Sequence, residues 1–344
     1  MTVLAVQADD AAHAQPGHPE RPARLAAVRA ALDADPVLAA LPRVSGAPAT
    51  RRALERIHAP DYLDLLDRLC ETGGGALDVD TYATARSADV ARQAAGNLLS
   101  VVDAVMTGEA ENGLALGRPP GHHARPMMAM GFCLLSNAAI AARHAQAVHR
   151  ADRVMIVDLD VHHGNGTEEA FEDDPSVLFV SSHQANIYPG TGALGDVGVG
   201  AGAGFTVNLP VPAGTGDELA ALYRSVLPPL AARFRPDLVL LSLGADAHRL
   251  DPLAGLALSV AGLAEAATVV REVADAHAAG RLVATLEGGY HAEALAATVA
   301  AVTHRFRDAE AAIHDPFGPT SFPPQDLTAL ADAVRQRIRP SPRR

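Results

Sequence analysis

The residues best equipped for chemistry stand together in Asp158-Leu-Asp160-Val-His162-His163-Gly-Asn165-Gly166, directly after the β-branched run Val154-Met-Ile-Val. Residues two apart on a strand share a face, so Asp160 and His162 are expected to point the same way, with Asp158 one step deeper. Two such donors on rigid backbone make half of a metal site. Three further segments offer the remainder. Gly117-Arg-Pro-Pro-Gly121-His122-His123 follows Asn112–Leu116, Gly244-Ala-Asp246 follows Asp237–Leu243, and Glu287-Gly-Gly-Tyr290 follows Arg281–Leu286.

Asp160, His162 and Asp246 supply three protein ligands and leave the metal an open position, as in catalytic zinc sites. A metal held this way polarises a carbonyl and lowers the pKa of bound water towards about 7. The adjacent His122 and His123 can take a proton from that water and give one to a departing amine. Tyr290, on a Gly-Gly turn, can donate to the oxyanion opposite the metal. The sum is metal-assisted amide hydrolysis. Taken singly, each segment has a plainer reading: a capped turn for Asp-x-Asp-x-His, a satisfied loop pair for His-His, a turn for Gly-Gly-Tyr and a helix cap for Asp246. Those readings fail jointly, because all four segments fall at strand ends in an order that fits one mechanism.

The elements that must position these residues are strands alternating with alanine-rich helices. Strands are expected at Gly113–Leu116, Val154–Leu159, Val177–Ser181, Phe205–Leu209, Leu238–Leu243 and Leu282–Leu286, and helices at Ser136–Val148, Glu218–Phe234 and Ser259–Ala279. Such alternation implies an α/β fold, a mainly parallel sheet with helices on both faces. In these sheets ligands lie at the carboxyl ends of the strands. The glycine-rich run Gly190–Gly204 reads as a structured loop, because its Gly-x-Gly spacings precede a strand, not a helix. A C-terminal helix is expected over about Gln325–Ile338, followed by a disordered Arg/Pro tail.

Composition sets the context. At 344 residues the chain fits one α/β domain, 1–344, with a motif-bearing core of about 13–315 and a C-terminal helix and tail over 316–344. No apolar run is long enough to span a bilayer and no signal-peptide pattern opens the chain, so no membrane contact is expected. Two cysteines, Cys70 and Cys133, make no disulfide framework, and a reducing cytoplasm is expected. A net charge of −12 excludes a basic nucleic-acid face and suits cationic substrates. All basic residues are arginine, with no lysine, which reads as coding bias.

The motifs also resemble a family. Gly-Arg-Pro-Pro-Gly-His122-His123-Ala, Gly131-Phe132-Cys133, Asp158-Leu-Asp160-Val-His162-His163-Gly-Asn165-Gly, Tyr188-Pro-Gly-Thr-Gly192, Gly244-Ala-Asp246 with Asp251-Pro-Leu253, and Leu286-Glu287-Gly-Gly-Tyr290 are similar to the zinc-dependent histone deacetylases. The likeness is to the bacterial, class II-like branch of deacetylase-like and acetylpolyamine amidohydrolases, and runs from His18-Pro-Glu-Arg to Tyr290. It implies the arginase/deacetylase fold. By this resemblance Asp160, His162 and Asp246 are the zinc ligands, His123 the general base and acid, and His122 its electrostatic neighbour backed by Asp158. Asn165 stands behind His123 where class I members carry aspartate, which makes His123 the less basic of the two histidines. Tyr290 is the catalytic tyrosine. Gly131 accepts the scissile amide N–H, Phe132 and Tyr188 wall the acyl-lysine stem, Asp80 holds the substrate backbone at the rim, and Leu253 replaces the gatekeeper glutamate of polyamine-specific eukaryotic members. Asp158, Asp160, His162 and Ser181 match a structural potassium site.

The resemblance therefore implies a zinc-dependent deacetylase, with Fe²⁺ an equally compatible metal for an O,N,O donor set. N-ε-acetyl-lysine side chains are the first substrate expected and acetylated polyamines the alternative. A homo-oligomer is expected. Further rivals are an arginase-like dinuclear manganese enzyme, which metal stoichiometry would separate, and an inactive acyl-lysine reader, which the filled catalytic positions disfavour.

Overall fold

A computed structural model describes residues 1–337. The chain opens with β1 (Thr2–Val6), α1 (Ala23–Ala34), α2 (Pro36–Ala39), α3 (Arg51–Leu54), α4 (Pro60–Glu71), the short hairpin β2 (Gly74–Ala76) and β3 (Tyr82–Thr84), and α5 (Ser87–Met106). It continues through β4 (Asn112–Leu116), α6 (Asn137–His149), β5 (Val154–Asp158), α7 (Asn165–Phe171), β6 (Val177–Gln184) and β7 (Thr206–Val211). The last part is α8 (Leu219–Phe234), β8 (Leu238–Leu243), α9 (Val260–His277), β9 (Leu282–Leu286), α10 (Ala292–Arg307) and α11 (Thr328–Arg337).

Seven strands form one sheet in the order β1-β4-β9-β8-β5-β6-β7, and every pairing in it is parallel. Its central strands read as unbroken apolar runs because helices cover both faces, as a parallel sheet requires. Alternate residues then feed two separate cores. Met155, Val157, Val239 and Leu241 pack with Val28 of α1, Leu227 of α8, Val270 of α9 and Val299 of α10. Val154, Ile156, Leu238 and Leu240 pack with Leu63 of α4, Val102 of α5 and Ile140 of α6. This is the α/β architecture, a parallel sheet between two helical layers, that the alternation of elements implies.

The sheet also fixes where a site can form. From β5 the chain moves outward to β6 and β7, then returns to β8, which lies against the other side of β5 and leads to β9. Connections leave β5 and β8 in opposite directions, so a crevice opens between their carboxyl ends. Asp158 pairs with Ser242 of β8 on one side and Ser181 of β6 on the other.

All six expected strands form, although β6 runs on to Gln184 and β7 covers Thr206–Val211. One expectation needs correcting. β5 stops at Asp158, so Asp160 and His162 lie in the following turn and their convergence does not come from strand alternation. Asp158 itself ends the strand, its Oδ1 accepting the Asp160 N–H at 3.1 Å. The terminal helix begins at Thr328 because Asp326 Oδ1 accepts the Thr328 N–H at 2.9 Å in a local turn. The rest of that expectation, Ile338 and the Arg/Pro tail, lies outside the described residues. No helix among the described residues is long and apolar enough to cross a membrane.

Candidate active site

Four strand ends meet at the crevice. The turn after β5 carries Asp160 and His162, the loop after β8 carries Asp246, the loop after β4 carries His122 and His123, and the loop after β9 carries Tyr290. Asp160, His162 and Asp246 bring a carboxylate oxygen, an imidazole nitrogen and a second carboxylate oxygen within 4.8 Å of one another. His162 Nδ1 lies 3.2 Å from Asp160 Oδ1 and 3.4 Å from Asp246 Oδ2.

Main-chain N–H groups set the orientation of both carboxylates. Asp160 Oδ1 accepts from His162 N at 2.9 Å and Oδ2 from Gly288 N at 2.8 Å. Asp246 Oδ1 accepts from Val161 N at 3.0 Å. Asp246 Oδ2 is fully buried and has no hydrogen-bond partner. A native protein rarely leaves a buried carboxylate oxygen unpaired, so this atom, beside an imidazole nitrogen, fits a metal ligand. Gly288 lines the same space: a Cβ there would stand 1.9 Å from Asp246 Oδ2 and 2.6 Å from Asp160 Oδ2. Burial first, and the Asp160 carboxylate next, push Asp246 up to about 7. Burial works against a charged His162, yet the two carboxylates hold it up to about 10. Two anions buried at such close range call for a cation.

The histidine pair lies alongside, with ring centroids 4.0 Å apart. His122 Nδ1 donates to Asp158 Oδ2 at 3.0 Å, and its Nε2 is 3.7 Å from Asp160 Oδ1. Burial opposes its charge, but Asp160 and Asp158 together hold it well above the usual histidine range. His123 Nδ1 meets Asn165 Oδ1 at 2.7 Å, while the Asn165 amide donates towards Met130 Sδ at 3.4 Å. That orientation makes Asn165 an acceptor, places the His123 proton on Nδ1 and leaves Nε2 with its lone pair. Burial, and then the charges of His122 and His162, push His123 well below the usual range. The expected order of basicity follows: one imidazole backed by a carboxylate, the other by an amide.

Tyr290 is buried, its ring edge-on to Phe132 at 5.6 Å and under the Arg24 guanidinium at 4.8 Å. Burial pushes its phenol well up despite Arg24, so it keeps its proton. Gly131 and Phe132 both adopt left-handed backbone, φ +56° and +67°. A Cβ on Gly131 would stand 2.4 Å from His123 Cδ2, so only glycine lets this segment pass against the imidazole. Tyr188 faces His123 edge-on at 5.1 Å and is exposed. Thr81 ties the hairpin loop to this wall, accepting from Phe132 N at 2.9 Å and donating to Asp80 Oδ1 at 2.9 Å. Leu253 is exposed on the loop after β8. Ser181 Oγ bonds His183 Nδ1 at 3.0 Å, and neither main-chain carbonyl of Asp160 or His162 accepts a hydrogen bond among the described residues.

Further buried charged residues, given no role above, support the site. Glu287 is fully buried and accepts from Gly121 N at 2.6 Å, His122 N at 3.1 Å and Ser242 Oγ at 3.1 Å, joining the ends of β4, β8 and β9. Burial pushes it up to about 7 against the pull of His122. Asp251 Oδ2 accepts from Tyr290 N at 2.6 Å and His291 N at 3.3 Å, fixing the tyrosine's backbone. Arg24 donates to Gly289 O at 2.7 Å and to Glu20 Oε1 at 3.0 Å, and Arg118 reaches the same Glu20 oxygen at 2.6 Å. For Glu287, Asp251 and Arg118 the sequence signal was a charged residue inside a glycine-rich or proline-rich loop, whereas Arg24 stands in the first turn of α1. Cys133 also lies near His122 and Glu287, but burial pushes its thiol well up, which disfavours a thiolate ligand.

Residues 18–306 match the family model described as the histone deacetylase domain. The chain is similar to the Histone deacetylase-like amidohydrolase of Pseudomonas aeruginosa, 38% identical over 325 residues, covering 94% of this chain and 85% of that protein. It is 39% identical over 331 residues to Polyamine deacetylase HDAC10 of Homo sapiens, covering 92% of this chain and 48% of that protein. Among solved structures, the crystal structure of the HDA15 HD domain matches with a TM-score of 0.86 and 36% identity, covering 98% of this chain and 94% of that one.

Proposed function

Since the chain belongs to the histone deacetylase family and is a deacetylase-type hydrolase, we propose that it removes acetyl groups from N-ε-acetyl-lysine side chains. Asp160, His162 and Asp246 hold one divalent cation, Zn²⁺ or Fe²⁺ by the donor set. When bound, such a cation supplies a Lewis acid that polarises the scissile carbonyl and acidifies water. His123, neutral with Nε2 free, takes the proton of the attacking water and returns one to the amine leaving group. His122, held charged by Asp158, keeps positive charge beside the reacting carbonyl. Tyr290 donates its phenolic O–H to the carbonyl oxygen as negative charge develops there.

The remaining residues orient the substrate. Phe132 and Tyr188 flank the methylene stem and keep water from it, and the Gly131 carbonyl accepts the scissile amide N–H. Asp80, anchored through Thr81 to Phe132, meets the substrate main chain at the rim. Glu287 and Asp251 position His122 and Tyr290 through their backbone N–H groups. A monovalent cation at Asp158, Asp160, His162 and Ser181 suits the two free carbonyls of that buried turn.

The unpaired Asp246 Oδ2 beside His162 carries this reading. A chelator-treated protein is expected to lose hydrolysis of an acetyl-lysine peptide and to regain it with one equivalent of Zn²⁺ or Fe²⁺. His123→Ala should lower the rate by about 10²–10⁴-fold with metal content unchanged. Full activity after metal removal, or in His123→Ala, would refute the mechanism. A second reading, acetylpolyamine hydrolysis, is favoured by the likeness to a polyamine deacetylase and by the net charge of −12. Leu253, in place of a rim carboxylate, weighs against it.

A further inference from the structure

We propose a second metal site, formed by Asp103 of α5 with His144 and His149 of α6. The Nε2 atoms of both histidines converge on one oxygen, Asp103 Oδ1, at 2.7 and 2.6 Å. Their ring centroids are 5.8 Å apart, and the three donor atoms all lie within 4.8 Å of one another. Ligands of a first-row divalent ion stand about 2.0–2.2 Å from it, so a small opening of this cluster seats one. The histidine side chains are 12% and 14% exposed and the aspartate 48%, which leaves the outer side open for water to complete the coordination. None of the three residues hydrogen-bonds to a candidate active-site residue.

Two surrounding features favour a cation. His149 is the last residue of α6, where the negative end of the helix dipole falls. A cavity of about 280 Å³ adjoins the cluster, lined by Thr50, Arg56, Asp103 and His144 among others. One feature opposes it: Arg56 Nη1 lies 3.5 Å from His144 Nδ1. With metal on Nε2 the Nδ1 atom carries the proton and becomes a donor, so this contact must break. The cavity gives the arginine side chain somewhere to go. Arg56 thus weakens the site as it stands and makes it responsive to whatever draws the guanidinium away. An imidazole–imidazole–carboxylate set suits Zn²⁺, Cu²⁺ or Ni²⁺.

The test uses the full chain with its first metal equivalent loaded and excess removed, titrated with Zn²⁺ by calorimetry and with Cu²⁺ by electron paramagnetic resonance. A second, weaker equivalent is expected, with a copper signal showing two nitrogen ligands. His149→Gln and Asp103→Asn, both at partly exposed positions, should each weaken it by about tenfold or more, leaving the first equivalent and the deacetylase rate unchanged. Arg56→Gln should tighten it several-fold, because an amide oxygen can accept from His144 Nδ1–H. Absence of a second equivalent, or one that survives both ligand variants undiminished, overturns the proposal. An affinity that Arg56→Gln leaves unchanged or weakens overturns the assignment of Nε2 as the donor atom.

Discussion

A difference of one side chain separates the roles of two neighbouring histidines. Asp158 backs His122 and Asn165 backs His123, at 3.0 and 2.7 Å. A carboxylate stabilises imidazolium far better than an amide does, so His122 is held up and His123 down. A base must be unprotonated to act, so with His123 as the proposed base activity should fall as pH drops through its pKa. Asn165→Asp should raise that pKa and move the acid limb of the kcat/KM profile to higher pH. An unmoved limb would show that His123 is not the base. Gly288 offers a second test at this scale. A methyl group there meets the carboxylates of both Asp160 and Asp246, and under the proposed metal assignment Gly288→Ala is expected to cut metal affinity by about tenfold or more, read as metal content after dialysis. Retention of full metal content would place the cation elsewhere. These residues were legible in the sequence by type and spacing. The unpaired oxygen of Asp246 and the anchoring role of Glu287 were not, because each depends on strands distant in sequence meeting at one edge.

At the scale of elements, the sheet order sets the site more than local propensity does. The central strands were legible as apolar runs, since burial on both faces removes any polar alternation. β1 and the helices α5 and α10 were not among the elements read from the sequence. Strand alternation also misplaced the cause of ligand convergence. β5 ends at Asp158, and the turn beyond it is shaped by hydrogen bonds from its own N–H groups to Asp158 and Asp160. Positions remote from the site should separate stability from chemistry. Ser259 caps α9 by accepting from Gly262 N at 3.0 Å, and Ser259→Ala should cost about 1–2 kcal/mol of stability. Leu240→Ala, in the core of β8, should cost about 2–5 kcal/mol. Urea unfolding checks both. At a temperature where both variants are folded, Ser259→Ala is expected to keep the wild-type deacetylase rate.

For the molecule as a whole, stability should depend on keeping two buried histidines remote from the metal-facing carboxylates, His13 and His58, neutral. Burial pushes His13 and His58 down to about 4, from an ordinary value of 6.5. The unfolded chain binds these protons more readily, so their contribution is complete above pH 6.5 and is lost as pH falls from there towards 4. Urea midpoints should therefore decline across that window, and His58→Gln, which can still accept from Ser136 N–H, should flatten the decline. A flat wild-type profile from pH 7 to 5 would contradict this. The absence of lysine means that no side chain of the molecule can itself be an acetyl-lysine substrate. Substrate must come from outside. Both candidate substrates present the same acetylated primary amine on a linear chain, and only the rim can tell them apart.

That distinction is settled by comparing kcat/KM for an N-ε-acetyl-lysine peptide and for N-acetylputrescine on the same metal-quantified preparation. Acetyl-lysine deacetylation at the Asp160–His162–Asp246 centre predicts the higher value for the peptide, with both activities collapsing in His123→Ala. A peptide rate no greater than that of His123→Ala, beside efficient turnover of N-acetylputrescine, would contradict it.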